Sequence, residues 1–215
     1  MENNQANLKE QFKKKSIWLL TPLFGAIVFI VLYIVAALLY PGGSQMDKNS
    51  IGFNWVNNYW CNLLSEKAIN GQYNTAKPVA ITGMLILWFT LLIFWFLFAR
   101  HMKINRSLKL IIQISGTLCM ITGLFLLTNI NHDLIVNLSS SFGVIASIGI
   151  LIGLFRNKLY LLFSFGLFIM LLVVLNNFLY HTDGLIIYLP VIQKVTFASF
   201  LLWVFCIDIN LYRRS

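Results

Sequence analysis

Apolar residues run through this chain in six blocks, each about long enough to cross a bilayer as a helix. They are Trp18–Tyr40, Val79–Ala99, Leu110–Thr128, Leu134–Phe155, Leu159–Tyr180 and Ile186–Ile207. Roughly 30 Å of hydrocarbon takes about 20 helical residues to span. The pattern predicts an all-α fold, a polytopic integral membrane protein built as a bundle of six transmembrane helices. The first block is too long for a signal peptide and no small-residue cleavage site follows it, so it reads as a retained span. Residues 1–16 form a basic N-terminal segment, and 17–215 a single six-helix domain.

The polar intervals decide how the helices are connected. Short loops at 100–109, 129–133, 156–158 and 181–185 make helices two to six sequential antiparallel neighbours. The one long interval, 41–78, begins with Pro41-Gly42-Gly43, which stops the first helix. In it Phe53, Val56, Trp60, Leu63 and Leu64 recur at helical spacing, with Asn54, Asn57, Asn58 and Asn62 between them. Such a stretch, rich in Trp and Tyr, suits the membrane–water boundary and predicts an interfacial helix over the outer end of the bundle. Pro78 opens the second span, where its missing N–H costs nothing. In the fourth span Ser139, Gly143 and Ser147 stand four apart, a small-residue ladder that lets helix backbones approach. It predicts close packing, within the bundle or between protomers of a homo-oligomer.

Composition excludes the soluble class: 59% of residues are hydrophobic and 11% charged, where a soluble domain carries about a quarter charged. The net charge of +9 invites a nucleic-acid reading, but no basic stripe interleaved with aromatics lies outside the spans. The positive residues instead alternate by side. One side receives Lys9, Lys13, Lys14, Lys15, Arg100, Lys103, Arg106, Lys109, Arg156, Lys158, Arg213 and Arg214; the other has Lys48, Lys67 and Lys77. Cytoplasmic loops collect Lys and Arg, so both termini are expected in the cytoplasm and the long loop outside. The Lys-rich start at 7–15 suits a short helix along the inner surface, or a solvated charged tail. Cys61, Cys119 and Cys206 are odd in number and unrelated in spacing, which suggests neither a disulfide framework nor a metal knuckle. Only Cys61 falls outside the spans.

The run Asn58-Tyr-Trp-Cys-Asn-Leu-Leu-Ser-Glu-Lys-Ala, then Asn70-Gly and Asn74-Thr-Ala-Lys-Pro, resembles a bacterial six-helix membrane family known as a domain of unknown function. That family is similar in layout to the Frag1/DRAM-like proteins. Its polar stretch after helix one and its His at the third-to-fourth helix turn are matched by Asn131-His132-Asp133, and its last helix by Pro190–Phe197. The resemblance covers most of the chain and implies a multi-pass protein of the bacterial cytoplasmic (inner) membrane. The family often has Asp where Asn62 stands, so no carboxylate role carries over to that position. The match implies architecture and no mechanism.

Polar residues gather toward the outer half: Asn62, Ser65, Glu66, Asn131, His132, Asp133, Asn137, Asn176, Asn177, His181 and Asp183, with Lys194 in the sixth span. Of these, Asn62, Glu66, His132, Asp133, Asn177, His181, Asp183 and Lys194 are the candidate ligand-binding set of an outward-open pocket for a lipid headgroup or small polar ligand. Glu66, His132, Asp133 and His181 are expected to converge there. Zinc could use the histidines and acids, and a Ser–His–Asp hydrolase could use Ser65. Neither spacing is diagnostic, because adjacent His132 and Asp133 do not share a helix face and Ser65 lacks a nucleophile elbow. No cofactor or metal is expected, and membrane lipid is the expected partner. A small transporter is a third class, although no span is clearly broken mid-membrane by Gly or Pro. The plain alternative is that these groups are solvated or hydrogen-bonded structural residues at helix ends. Lys194 lies about 12 Å below the outer end of its span, and is expected to snorkel or to pair with Asp133, Asp183 or Glu66.

Overall fold

The computed structural model describes residues 17–128 and 131–214, with the side chain of His132 outside that set. The basic N-terminal segment and its Lys-rich stretch lie outside the described residues. Six long helices carry the fold: α1 (Thr21–Leu39), α2 (Lys77–His101), α3 (Arg106–Leu124), α4 (His132–Arg156), α5 (Tyr160–Tyr180) and α6 (Leu189–Arg214). With their short 3-10 extensions, all six are long and apolar enough to cross a membrane.

Local chemistry sets the helix ends. Pro22 and Pro78 sit in the first turns of α1 and α2, where a residue without an N–H removes no helical bond. Asn105 caps α3 by accepting from the Leu108 N–H at 3.1 Å, and Asn131 caps α4 by accepting from Asp133 and Leu134 at 3.0 and 3.2 Å. Asp133 in the first turn of α4 and Arg156 in its last complement the helix dipole. The sixth helix runs on to Arg214, beyond the expected end at Ile207, and so draws Asp208 into the bundle.

Consecutive helices pack on one another from α1 to α6, and α6 returns against α1 and α2. The core is aromatic, with Trp95, Trp203, Phe29, Phe94 and Phe98 fully buried. Small residues make room for it: a Cβ at Gly116 would overlap the Trp95 ring, and one at Gly166 the Trp203 ring. The Ser139–Gly143–Ser147 ladder of α4 packs against α3 within the chain. Ser139 donates to Thr122 Oγ1 at 2.9 Å, Gly143 faces Cys119, and Ser147 is buried. Large apolar side chains such as Phe24, Leu38, Phe89, Leu161 and Leu171 stand exposed on the outside of the bundle. This is the surface expected where lipid is the solvent.

The expected helix at 53–66 does not form. A turn at 55–57 and a five-residue 3-10 helix, Trp60–Leu64, take its place. Asparagine side chains explain the difference, since they offer the backbone partners that compete with helical bonds. Asn54 Oδ1 accepts from the Val56 and Asn57 N–H groups at 3.0 Å each, and Asn62 Oδ1 accepts from the Tyr59 N–H at 2.7 Å.

Candidate functional site under the cap

Residues 40–76 fold into a cap over one end of the bundle. Asn58 and Asn74, both fully buried, hold it together. Asn58 accepts from the Asn54 N–H at 2.8 Å and donates to the Gly43 carbonyl at 2.9 Å. Gly43 adopts φ +84°, and a Cβ there would strike the backbone of Ile69 and Asn70. Asn74 Nδ2 lies within 2.8–3.2 Å of the carbonyls of Asn62, Leu63 and Ser65, while its Oδ1 accepts from the Ala76 N–H at 3.1 Å. Two further bonds moor the cap to the end of α1: Ile69 N–H to Tyr40 Oη at 3.0 Å, and Thr75 Oγ1 to the Leu39 carbonyl at 2.6 Å.

Trp60 plugs the cap into the bundle. Its ring stacks on Tyr33 at 4.9 Å and lies 5.4 Å from Phe197, so it sits between α1 and α6. Beside it Cys61 is half-buried, and burial pushes its thiol up from the ordinary range.

Lys194 of α6 reaches the cap from below. Its Nζ donates to the Asn58 carbonyl at 2.5 Å and to the Pro190 carbonyl at 2.8 Å, and stands 5.9 Å from the centroid of Phe53. The expected carboxylate partner is absent among the described residues. Glu66 instead meets Lys77 at 3.4 Å, with the Glu66 side chain 84% exposed. Two carbonyls and an aromatic face satisfy part of an ammonium group but cancel none of its net charge. Trp60 Nε1 and Gln193 Oε1 are also buried without a hydrogen-bond partner among the described residues. Gln193 precedes Lys194 and lies one helical turn from the Phe197 that Trp60 touches. Lys194 therefore brings a cation to the underside of the cap, at the Asn58 carbonyl.

The other sequence-predicted residues divide. Asp133 bonds the Tyr180 hydroxyl, and the Tyr180 ring meets His181 edge-on at 5.0 Å, so the start of α4 and the end of α5 do come together. Glu66 is engaged elsewhere, with Lys77, and the side chain of His132 lies outside the described residues. Asn177 and His181 share a face, as their spacing requires, and both are exposed. It is Asn176 that turns inward, donating to Thr196 Oγ1 of α6 at 2.6 Å. Asp183 is exposed in the α5–α6 turn, and Asn62 is occupied by its own 3-10 turn. No group of three or more His, Cys, Asp and Glu side chains is placed to hold a metal among the described residues. No hydrogen bond joins Ser65 Oγ to a histidine among them either, so the zinc and hydrolase readings gain no geometry.

One residue escaped the sequence reading. Asp208 of α6 is fully buried, and neither carboxyl oxygen has a hydrogen-bond partner among the described residues. It lies about 9 Å along the helix from Arg214. An ionisable group so placed in an apolar bundle is costly and marks a working site more often than a structural one.

No family model, curated protein or solved structure matches the chain.

Proposed function

We propose that this is a multi-pass protein of the bacterial cytoplasmic membrane, of the six-helix family its sequence resembles, with both termini cytoplasmic and the cap outside. It binds a small anionic ligand, such as a phosphate or carboxylate on a lipid headgroup or a free metabolite, beneath the cap, and does not transform it. The observation that supports this reading is the half-buried Lys194 ammonium, held by two carbonyls and paired with no carboxylate among the described residues. An incoming anion would supply the missing charge and could accept from Trp60 Nε1, whereas Gln193 Oε1 can accept only from a ligand that also carries a donor. Glu66, Asp183 and Asn177 then belong to the rim rather than to the site.

Lys194→Gln tests it, because glutamine keeps a donor for the Asn58 carbonyl while removing the charge. Native mass spectrometry of the purified protein in mild detergent should show an anionic adduct on the wild type. On the variant it should be weakened about tenfold or more, as loss of a charge-assisted bond implies. A wild type without an adduct, or a variant that keeps it undiminished, overturns the reading.

Asp208 favours a second reading, a small transporter in which that carboxyl carries a proton or cation through the bundle.

A further inference from the structure

The opposite end of the bundle carries a different surface. The α2–α3 and α4–α5 turns meet there, tied by Asn157 Nδ2, which donates to the Lys103 carbonyl at 3.2 Å. Lys158 follows with φ +59°, a left-handed conformation that a non-glycine residue adopts at a cost. The result is a cleft of about 620 Å³ whose charged lining comprises Lys103, Arg156, Lys158 and Arg214, with His101 beside them. No acidic side chain lines it, and none of the four cations is in an ion pair among the described residues.

Arg156 also closes the end of a second hollow. A groove of about 580 Å³ runs between α4 and α5, bounded by residues such as Ile148, Phe155, Leu167 and Val174, and Arg156 is its one charged lining residue. Its walls extend from Val144 to Phe155 and from Phe163 to Val174. At 1.5 Å per residue each is about 16 Å long, close to half of the roughly 30 Å hydrocarbon core. The groove thus has the depth of one leaflet, with its charged end where the phosphates of that leaflet would lie. Basic residues that merely orient helices need no such groove, and an apolar groove between helices needs no cation cluster at its mouth. Arg156 joins the two.

We propose that this composite is a binding site for one anionic phospholipid of the cytoplasmic leaflet. An acyl chain occupies the α4–α5 groove, and the headgroup phosphate sits among Arg156, Lys158, Lys103 and Arg214. The site is separate from the one under the cap, and its ligand chemistry follows from charge complementarity at the membrane surface. Because the contacts are partly exposed, retention of the lipid falls as ionic strength rises.

The test is native mass spectrometry of delipidated full-length protein in detergent, titrated with phosphatidylglycerol or with phosphatidylcholine of the same chains. Inorganic phosphate serves as a third probe. The wild type should retain phosphatidylglycerol in preference to phosphatidylcholine. The triple variant Lys103→Gln/Arg156→Gln/Lys158→Gln should lose that preference by about tenfold or more, with a melting curve lowered only slightly, since the three side chains are exposed and only Arg156 faces a helix dipole. Ile148→Trp/Leu167→Trp, which fills the groove, should weaken both lipids. Equal retention of the two lipids by the wild type overturns the proposal. So does a triple variant with wild-type preference. If inorganic phosphate competes fully and the groove variant binds lipid normally, the cleft holds a free anion, and the phospholipid assignment fails.

Discussion

Asn74→Ala is expected to lower the stability of the protein by roughly 2–5 kcal/mol, the cost of leaving several buried backbone groups unpaired. The side chain is fully buried and serves the carbonyls of Asn62, Leu63 and Ser65 as well as the Ala76 N–H. No other described side chain replaces it at those atoms, and an alanine methyl leaves too little room for several waters. Thermal unfolding in mild detergent, followed by tryptophan fluorescence, gives the number. Asn74→Asp separates the two halves of the role: its oxygen still accepts from Ala76, but it cannot donate to the three carbonyls. It should recover little of the loss. Asn70→Ala, whose Oδ1 accepts one bond from the exposed Gln72 N–H at 3.0 Å, is the control and should cost well under half as much.

The second large effect has the opposite sign. Asp208→Leu should stabilise the protein, by about 1–3 kcal/mol. Leucine keeps the branched shape of aspartate, matches the apolar helix face that carries Val204, Ile207 and Leu211, and removes two buried oxygens with no partner among the described residues. Residues that lower stability persist where function needs them. The same substitution should therefore abolish whatever proton or cation movement the chain performs, read as uptake into proteoliposomes under an imposed pH gradient. A destabilised Asp208→Leu protein would mean that the carboxyl has a structural partner and that the transporter reading has lost its footing.

How far the sequence disclosed these features depends on the kind of signal each one leaves. Spans follow from length and apolarity alone, so the six helices were legible to within a few residues at most ends. The exception is α6, expected to end at Ile207; that end leaves out Asp208, although Val204, Ile207 and Leu211 at helical spacing carry the same face onward. The cap misled for a different reason. Asn54, Asn58 and Asn62 stand four apart, which looks like one stripe of a helix. In the structure each side chain bonds backbone within four residues of itself, and Asn58 also reaches Gly43, so periodicity and helix part company. Lys194 was recognisable as anomalous by depth, but its partners are main-chain carbonyls, which leave no mark in a sequence. The choice between Asn176 and Asn177 turned on helix rotation, and that is fixed by how α5 meets α6 at Thr196. The basic cleft was present as a charge count and absent as a shape, because only folding brings Lys103 beside the Asn157 turn.

The side of the membrane that each end of the bundle faces decides which ligands the cap and the basic cleft can meet. Replace Cys61, Cys119 and Cys206 by alanine, then introduce a single cysteine at Gln72 in the cap or at Ser107 in the first turn of α3, both exposed positions. In intact cells a membrane-impermeant maleimide should label the Gln72→Cys protein. It should reach the Ser107→Cys protein only after the membrane is permeabilised. Labelling of Ser107→Cys in intact cells, with Gln72→Cys protected, would place the cap in the cytoplasm and contradict the account.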